Sequence, residues 1–192
     1  MTHPSPVELL ALHAVRLKGF ADNAAVAARF GLDTDQTHEE LLDAQAHGWI
    51  SRSSFADLTG WSLTESGYRR NEAQLRDELD LAGAHGTVTA VHERFLPLNS
   101  RATQIFTAWQ LDSGAPTDTF RQLADLADEL RDLERPLAAH LGRFAGYHNR
   151  FTTALARAGQ DPAWITGIKV DSCHRIWFEL HEDLIATLGI TR

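Results

Sequence analysis

Between Val88 and Trp109 the apolar residues Val88, Val91, Phe95, Leu98, Ala102, Ile105 and Trp109 return at alternating spacings of three and four. That period follows one face of an α-helix, so the segment folds as a helix whose apolar seam has to be covered by other helices. After Gly114-Ala115-Pro116, with Thr117 placed to cap the next helix, the seam resumes through Phe120, Leu123, Ala127, Leu130, Leu137, Leu141, Phe144, Phe151 and Leu155. Pro97 is expected to kink the first of these helices and Pro136 to kink or divide the second. Past Gly159, Asp161-Pro162 begins a short turn. Asp171 can then cap a last helix with Cys173, Trp177, Leu180, Leu184 and Leu188 on one side. Three amphipathic segments in this order predict an antiparallel helical bundle.

The composition agrees. Valine and isoleucine together number only thirteen in 192 residues, so the apolar content favours helix over strand. The length allows one domain or two small ones. With 18 Lys+Arg against 26 Asp+Glu the net charge is -8, which excludes a polybasic nucleic-acid binder of the histone kind. One cysteine, Cys173, excludes an intramolecular disulfide and a cysteine-rich zinc site, and suits the cytoplasm. The start, Met1-Thr2-His3-Pro4-Ser5-Pro6, carries no basic stretch leading into an apolar one, and no apolar run approaches the roughly 20 residues that span a bilayer. The expectation is a soluble, cytoplasmic protein with no membrane partner.

The first third reads differently. A helix from Val7 to Gly19 places Val7, Leu10, Ala14 and Leu17 on one face. Asp22 caps a second through Val26 to Phe30, and Asp33 with Gln36 forms a capping pair for a third that ends at Gly48. Trp49 to Phe55 and Trp61 to Leu63, around a polar turn at Ala56-Asp57, read as a β-hairpin. Thr64 then caps a helix into Leu75 and Leu79. The whole chain is therefore expected to be mainly α. A winged helix-turn-helix with a two-stranded β wing occupies residues 1–84, and the helical bundle follows over 85–192.

Residues 24–32 (Ala24-Ala25-Val26-Ala27-Ala28-Arg29-Phe30-Gly31-Leu32), the run from Leu41 to Gly48-Trp49-Ile50, and Leu63-Thr64-Glu65-Ser66-Gly67 carry a resemblance. Over about residues 7–80 the chain resembles the winged helix-turn-helix of MarR-like transcriptional regulators. A second resemblance is to winged-helix segments appended to actinobacterial pyruvate phosphate dikinase-like enzymes. It rests on Leu12-His13-Ala14-Val15-Arg16-Leu17-Lys18-Gly19-Phe20 and Gly60-Trp61-Ser62-Leu63-Thr64.

The first resemblance implies a DNA-binding regulator, a homodimer that sets two third helices in successive major grooves of double-stranded DNA, with the bundle supplying dimer contacts or a pocket for a small-molecule effector. Gln36, Thr37, His38 and Glu39 would then approach base edges. Arg29, Arg52, Ser53, Arg69 and Arg70 would hold the phosphates. Counting back from Gly48, however, puts Thr37, Leu41 and Ala44 toward the core and leaves Gln36, Glu39, Glu40, Asp43 and His47 outward, an acidic face. No Lys or Arg stands between Asp33 and Ser51, and the first 70 residues hold six Lys+Arg against nine Asp+Glu. Phosphate neutralisation by basic residues supplies much of the affinity for DNA. The alternative is a winged-helix interaction module that does not bind DNA and docks a basic partner on its acidic third helix.

In the bundle, Glu134 and His148 interrupt the second seam, and on one continuous helix they would stand roughly 21 Å apart. If the last helix runs back along the second, the position ten before Ala158 lies opposite the one ten after Asp171, pairing His148 with His181. His92 or His85 could reach the same level. His92, His148 and His181 are thus candidate ligand or metal residues, although their spacing matches no dedicated metal motif. Arg131, Arg135, Arg143, Arg150 and Arg157, interleaved with Asp128, Glu129, Asp132 and Glu134, read as a salt-bridged exposed face or a dimer surface. His92-Glu93 and His181-Glu182 begin like a zinc-protease helix, but Leu96 and Ile185 stand where the second histidine belongs. The chain carries no nucleophile elbow, phosphate-binding loop or dinucleotide fingerprint, so neither catalysis nor a cofactor is expected.

Overall fold

The N-terminal third is laid out by its capping residues. In a computed structural model, which describes residues 2–55, 58–111 and 116–190, α1 spans Val7–Lys18. The Asp22 carboxylate accepts from Ala25 N at 2.8 Å and starts α2, Asn23–Phe30. Asp33 accepts from Asp35 N and Gln36 N at 3.1 and 2.9 Å and starts α3, Thr34–Ala46. Strands β1, Ile50–Phe55, and β2, Leu58–Leu63, pair antiparallel with Ile50 opposite Leu63 and Arg52 opposite Trp61. The expected turn at Ala56-Asp57 lies outside the described residues. Ala21 adds a backbone bridge to Trp61, whose indole is buried among Leu12, Val15, Val26, Leu41 and Ile50.

Thr64 Oγ1 accepts from Gly67 N at 3.1 Å to open α4, Glu65–Leu81. A Cβ on Gly67 would lie 1.9 Å from the Trp49 carbonyl oxygen, so glycine is what lets α4 leave the wing at this angle. Along α4 the packing changes partner. Leu75 sits with Leu9 and Ala186, and Leu79 already belongs to the core of the C-terminal helices.

That second core is built by α5, His85–Gln110; α6, Pro116–His140; α7, Tyr147–Ala158; the short α8, Ala163–Thr166; and α9, Cys173–Leu188. Phe95, Phe144, Tyr147, Phe151 and a row of leucines are fully buried in it, each large side chain worth about 1.5–3 kcal/mol. The molecule is mainly α with a hairpin wing, as the sequence predicts. Pro97 and Pro136 both lie within continuous helices.

Three local expectations are corrected. The second bundle segment is two helices. It breaks at a 3-10 turn, Gly142–Phe144, and at Gly146, whose φ of 97° favours glycine. Glu134 therefore reaches across the break, accepting from Gly146 N and His148 N at 2.9 and 2.6 Å and satisfying open amides of α7, so Glu134 and His148 meet rather than standing far apart. Helix α6 starts at Pro116, so Thr117 is inside it; Gly114 and Ala115 are outside the described residues. Helix α9 is capped by Ser172, while Asp171 is occupied by ion pairs.

Candidate functional site

The exposed face of the winged helix is formed by α3 and the wing. Gln36 and Glu39 are exposed on it with Asp35 and Asp43, and Arg52 and Ser53 are exposed on β1. Thr37 is not available to a partner. It is fully buried, and its hydroxyl donates to the Asp33 carbonyl at 2.6 Å, because it falls on the core side of α3 with Leu41 and Ala44. His38 is half-buried, with Nδ1 2.6 Å from Asn23 Nδ2.

Arg29 is a further correction. It points away from α3 into the interior, where Nε donates to Glu179 at 3.1 Å and the guanidinium lies over the Phe30 and Tyr147 rings. Arg69 pairs with Glu65, and Arg70 pairs with Glu8 while lying over Trp49. The acidity of the face shows at Glu40. Partial burial and then the carboxylates of Glu8, Asp43 and Glu39 hold its pKa above the ordinary value.

The candidate histidines do not form one site. The antiparallel register is as expected, since Arg150 of α7 meets Glu179 of α9, two residues along from the line joining His148 to His181. Two helical residues are about 200° of rotation, so when Arg150 and Glu179 face each other the two histidines turn away. His181 instead faces α5, its ring 5.3 Å from that of Phe95, and lines a cavity of about 160 Å³ with Asn99, Phe106, His174 and Trp177. His92 is half-buried on α5. Among the described residues no group of three or more His, Cys, Asp or Glu is placed to hold a metal ion.

What the fold does assemble is a buried ionic junction between the winged helix and the bundle. In its first half, His13 of α1 lies 3.1 Å from Asn71 Oδ1 of α4 and 3.0 Å from Asp183 Oδ1 of α9. Asp183 also accepts from Arg143 and, at 2.9 Å, from the Tyr147 hydroxyl. Arg143 donates on to Glu78 and Thr187, both at 2.7 Å. Burial alone would push the Asp183 carboxyl up, but Arg143, then His13 and Arg29, hold it well below the usual range. Burial also raises the Tyr147 phenol.

The second half centres on Glu179, which accepts from Lys18 at 2.6 Å, Arg29 at 3.1 Å and Arg150 at 2.7 Å. Asp171 accepts from Arg150 at 2.7 and 2.8 Å and from Lys18 at 3.4 Å. Opposed by burial, those two cations still lower its pKa to about 2. Tyr147 joins the halves, because its hydroxyl reaches Asp183 while Arg29 lies over its ring at 4.5 Å.

Arg143, read from sequence as part of an exposed face or dimer surface, is thus buried, and Arg150 is half-buried with 20% of its side chain exposed; Arg131, paired with Asp128 in solvent, fits the exposed-face reading. A signal for the junction does exist in the sequence. Glu179 and Asp183 stand three and seven residues after Ile176, on the core stripe of α9, where an unpaired carboxylate would be costly.

Two cavities flank this junction. One of about 480 Å³ is lined by Lys18, Arg29, Arg150, Lys169, Asp171 and Arg175, among others. The other, about 940 Å³, runs between α1, α4 and α9 past Phe20, Leu58, Tyr68, Ile168, Phe178 and Ile190. No helix among the described residues is long and apolar enough to cross a membrane. In comparisons with protein-family models, curated proteins and solved structures, nothing matches this chain.

Proposed function

We propose that this chain is a regulatory protein in which the winged helix is the output element and the helical bundle the sensing element, the output being contact with a basic protein surface at α3. The observation that carries this reading is the charge of the exposed α3 face once Arg29 is withdrawn from it. Asp35, Glu39 and Asp43 remain exposed there, and the nearby Arg69 and Arg70 are each paired with a glutamate. Complementary charge steers such a face toward a cationic partner and away from a phosphate backbone. The junction supports the coupling. Lys18 and Arg29 of the winged helix are ion-paired with Glu179 of α9, and His13 lies 3.0 Å from Asp183, so a change in the bundle is felt by the helices that carry α3.

A second reading, transcriptional regulation by DNA binding, is supported by the outline of three helices and a wing, with Gln36 exposed at the start of α3 and Arg52 and Ser53 on β1. It requires a homodimer to set the spacing of two α3 helices, and a monomer at micromolar concentration removes it.

Fluorescence anisotropy of labelled duplex, taken from upstream of the chain's own gene with a scrambled control, separates the two at about 50 and 200 mM salt. The protein-output reading expects no binding at either salt. It further expects a basic protein cross-linked to α3 in cells to be lost from the double variant Glu39→Gln, Asp43→Asn, whose side chains are exposed and whose fold is retained. Submicromolar, sequence-dependent duplex binding that survives or improves in that variant overturns it in favour of DNA.

A further inference from the structure

The charges of the second half of the junction do not balance. Lys18, Arg29 and Arg150 share the two carboxylates of Glu179 and Asp171, and Lys169 and Arg175 line the same cavity. Asp22, the other acid in the lining, is engaged as the cap of α2. The donors do not balance either. Among the described residues, Arg29, with 1% of its side chain exposed, has a buried Nη2 with no acceptor, and Arg150 has a buried Nη1 in the same condition. A buried donor left without an acceptor is costly, and more so when it is charged. Two such guanidinium groups beside one cavity are a defect in a purely structural junction. They are an asset in one that accepts a negatively charged oxygen, because guanidinium donors suit carboxylate and phosphate geometry.

The second observation concerns what lies next to the cations. Lys18, Phe20, Leu58 and Arg175 line both cavities, so the cationic cavity opens onto the larger groove. There Phe20, Leu58, Ile168, Phe178 and Ile190 are exposed large apolar side chains, and Tyr68 joins them. Of the polar groups along the groove, Arg16 is paired with Glu182 and Glu72. Exposed apolar side chains gathered in one concave region mark a binding surface.

We infer that the junction binds an amphipathic organic anion, a carboxylate or phosphate monoester on an apolar chain, with its head at Arg29 and Arg150 in the cationic cavity and its apolar body along the groove between α1 and α9. The head sits among residues of the winged helix, Lys18 and Arg29, and of the bundle, Arg150 and Asp171. Its arrival adds negative charge where Glu179 now holds both parts together, which alters the junction itself. The inference deepens the regulatory reading by naming the effector's chemical class and rests on that reading only for its purpose.

Isothermal titration calorimetry on the full chain tests it with decanoate, decyl phosphate, inorganic phosphate and 1-decanol, each below its aggregation limit. Saturable micromolar binding of decanoate or decyl phosphate is expected, with inorganic phosphate and 1-decanol each at least tenfold weaker. Arg29→Lys keeps the positive charge beside Glu179 but removes both guanidinium NH2 groups, and is expected to weaken the anion tenfold or more. Because Arg29 is buried, Lys169→Met and Phe178→Ser serve as exposed partners that leave folding intact. The first should weaken both decyl anions several-fold, and the second should weaken them while leaving inorganic phosphate unchanged.

Decanol bound as tightly as decanoate, or anion affinity unchanged in both Arg29→Lys and Lys169→Met, overturns the site; the latter pattern assigns the groove to a neutral ligand or a protein. Saturable decanoate binding that leaves the α3 cross-link unchanged upholds the site and removes the sensing role. Absence of anion binding removes the site and leaves the α3 test standing.

Discussion

His13 and Asp183 are 170 residues apart in the chain and 3.0 Å apart in the structure, both with no side-chain exposure. This contact ties the first helix of the winged helix to the last helix of the bundle, and Arg143 and Tyr147 close around the same carboxylate. Removing one partner of such a buried set leaves charges behind without compensation, which is far costlier than losing an exposed pair. Asp183→Asn is therefore expected to lower the unfolding free energy by about 3–5 kcal/mol in urea denaturation. Arg131→Ala, which breaks an exposed pair with Asp128, should cost under about 1 kcal/mol. Equal effects would contradict the description of the junction as buried.

The acid side of the stability profile follows from the two junction aspartates. Asp171 and Asp183 both titrate below their ordinary value in the folded protein, so the stability they supply is complete above the unfolded carboxyl pKa and is lost as pH falls through the folded one. For Asp171 the window runs from 3.8 down to about 2. Its contribution is moderated by solvent, because 37% of its side chain is exposed. Thermal melts between pH 7 and pH 2 should show the midpoint dropping below about pH 4, with a shallower drop in Asp171→Asn. A flat profile in the unmodified chain would falsify the assignment.

Cys173 should be chemically silent in the native state. Burial pushes its thiol up to about 12, and its sulfur lies 3.8 Å from the Phe151 carbonyl oxygen. The thiolate is the reactive form, so a disulfide reagent at pH 8 should label the folded chain very slowly and the urea-unfolded chain at the rate of a free thiol. Rapid stoichiometric labelling without denaturant would show that the N-terminus of α9 opens.

Gly67 tests the geometry of the wing. An alanine there puts its Cβ against the backbone of Trp49 and not against a side chain that can turn aside, so α4 or the wing has to shift. Gly67→Ala is expected to destabilise by about 1–3 kcal/mol, the range for overpacking. At this chain length that corresponds to a Tm lowered by roughly 2–4 °C per kcal/mol, measurable by calorimetry.

Local interactions made much of this protein legible from its sequence. Asp22, Asp33 and Thr64 cap the helices they were expected to cap, since a cap depends on residues two or three positions away. The period of the apolar seams gave the helical class, and even the antiparallel register of α7 and α9 followed from counting between turns. What counting does not supply is the rotation of each helix about its axis, which is set by packing against helices distant in sequence. That rotation placed Arg150 and Glu179 face to face and turned His148 and His181 elsewhere. It also drew Arg29 off the presumed DNA face to Glu179, 150 residues away. By itself the sequence determined the helical class, the order of the N-terminal helices and hairpin, and the acidity of α3, but not the break between α6 and α7. Only the tertiary structure decided which charges are buried, because burial of a charge depends on whether the rest of the chain brings it a partner.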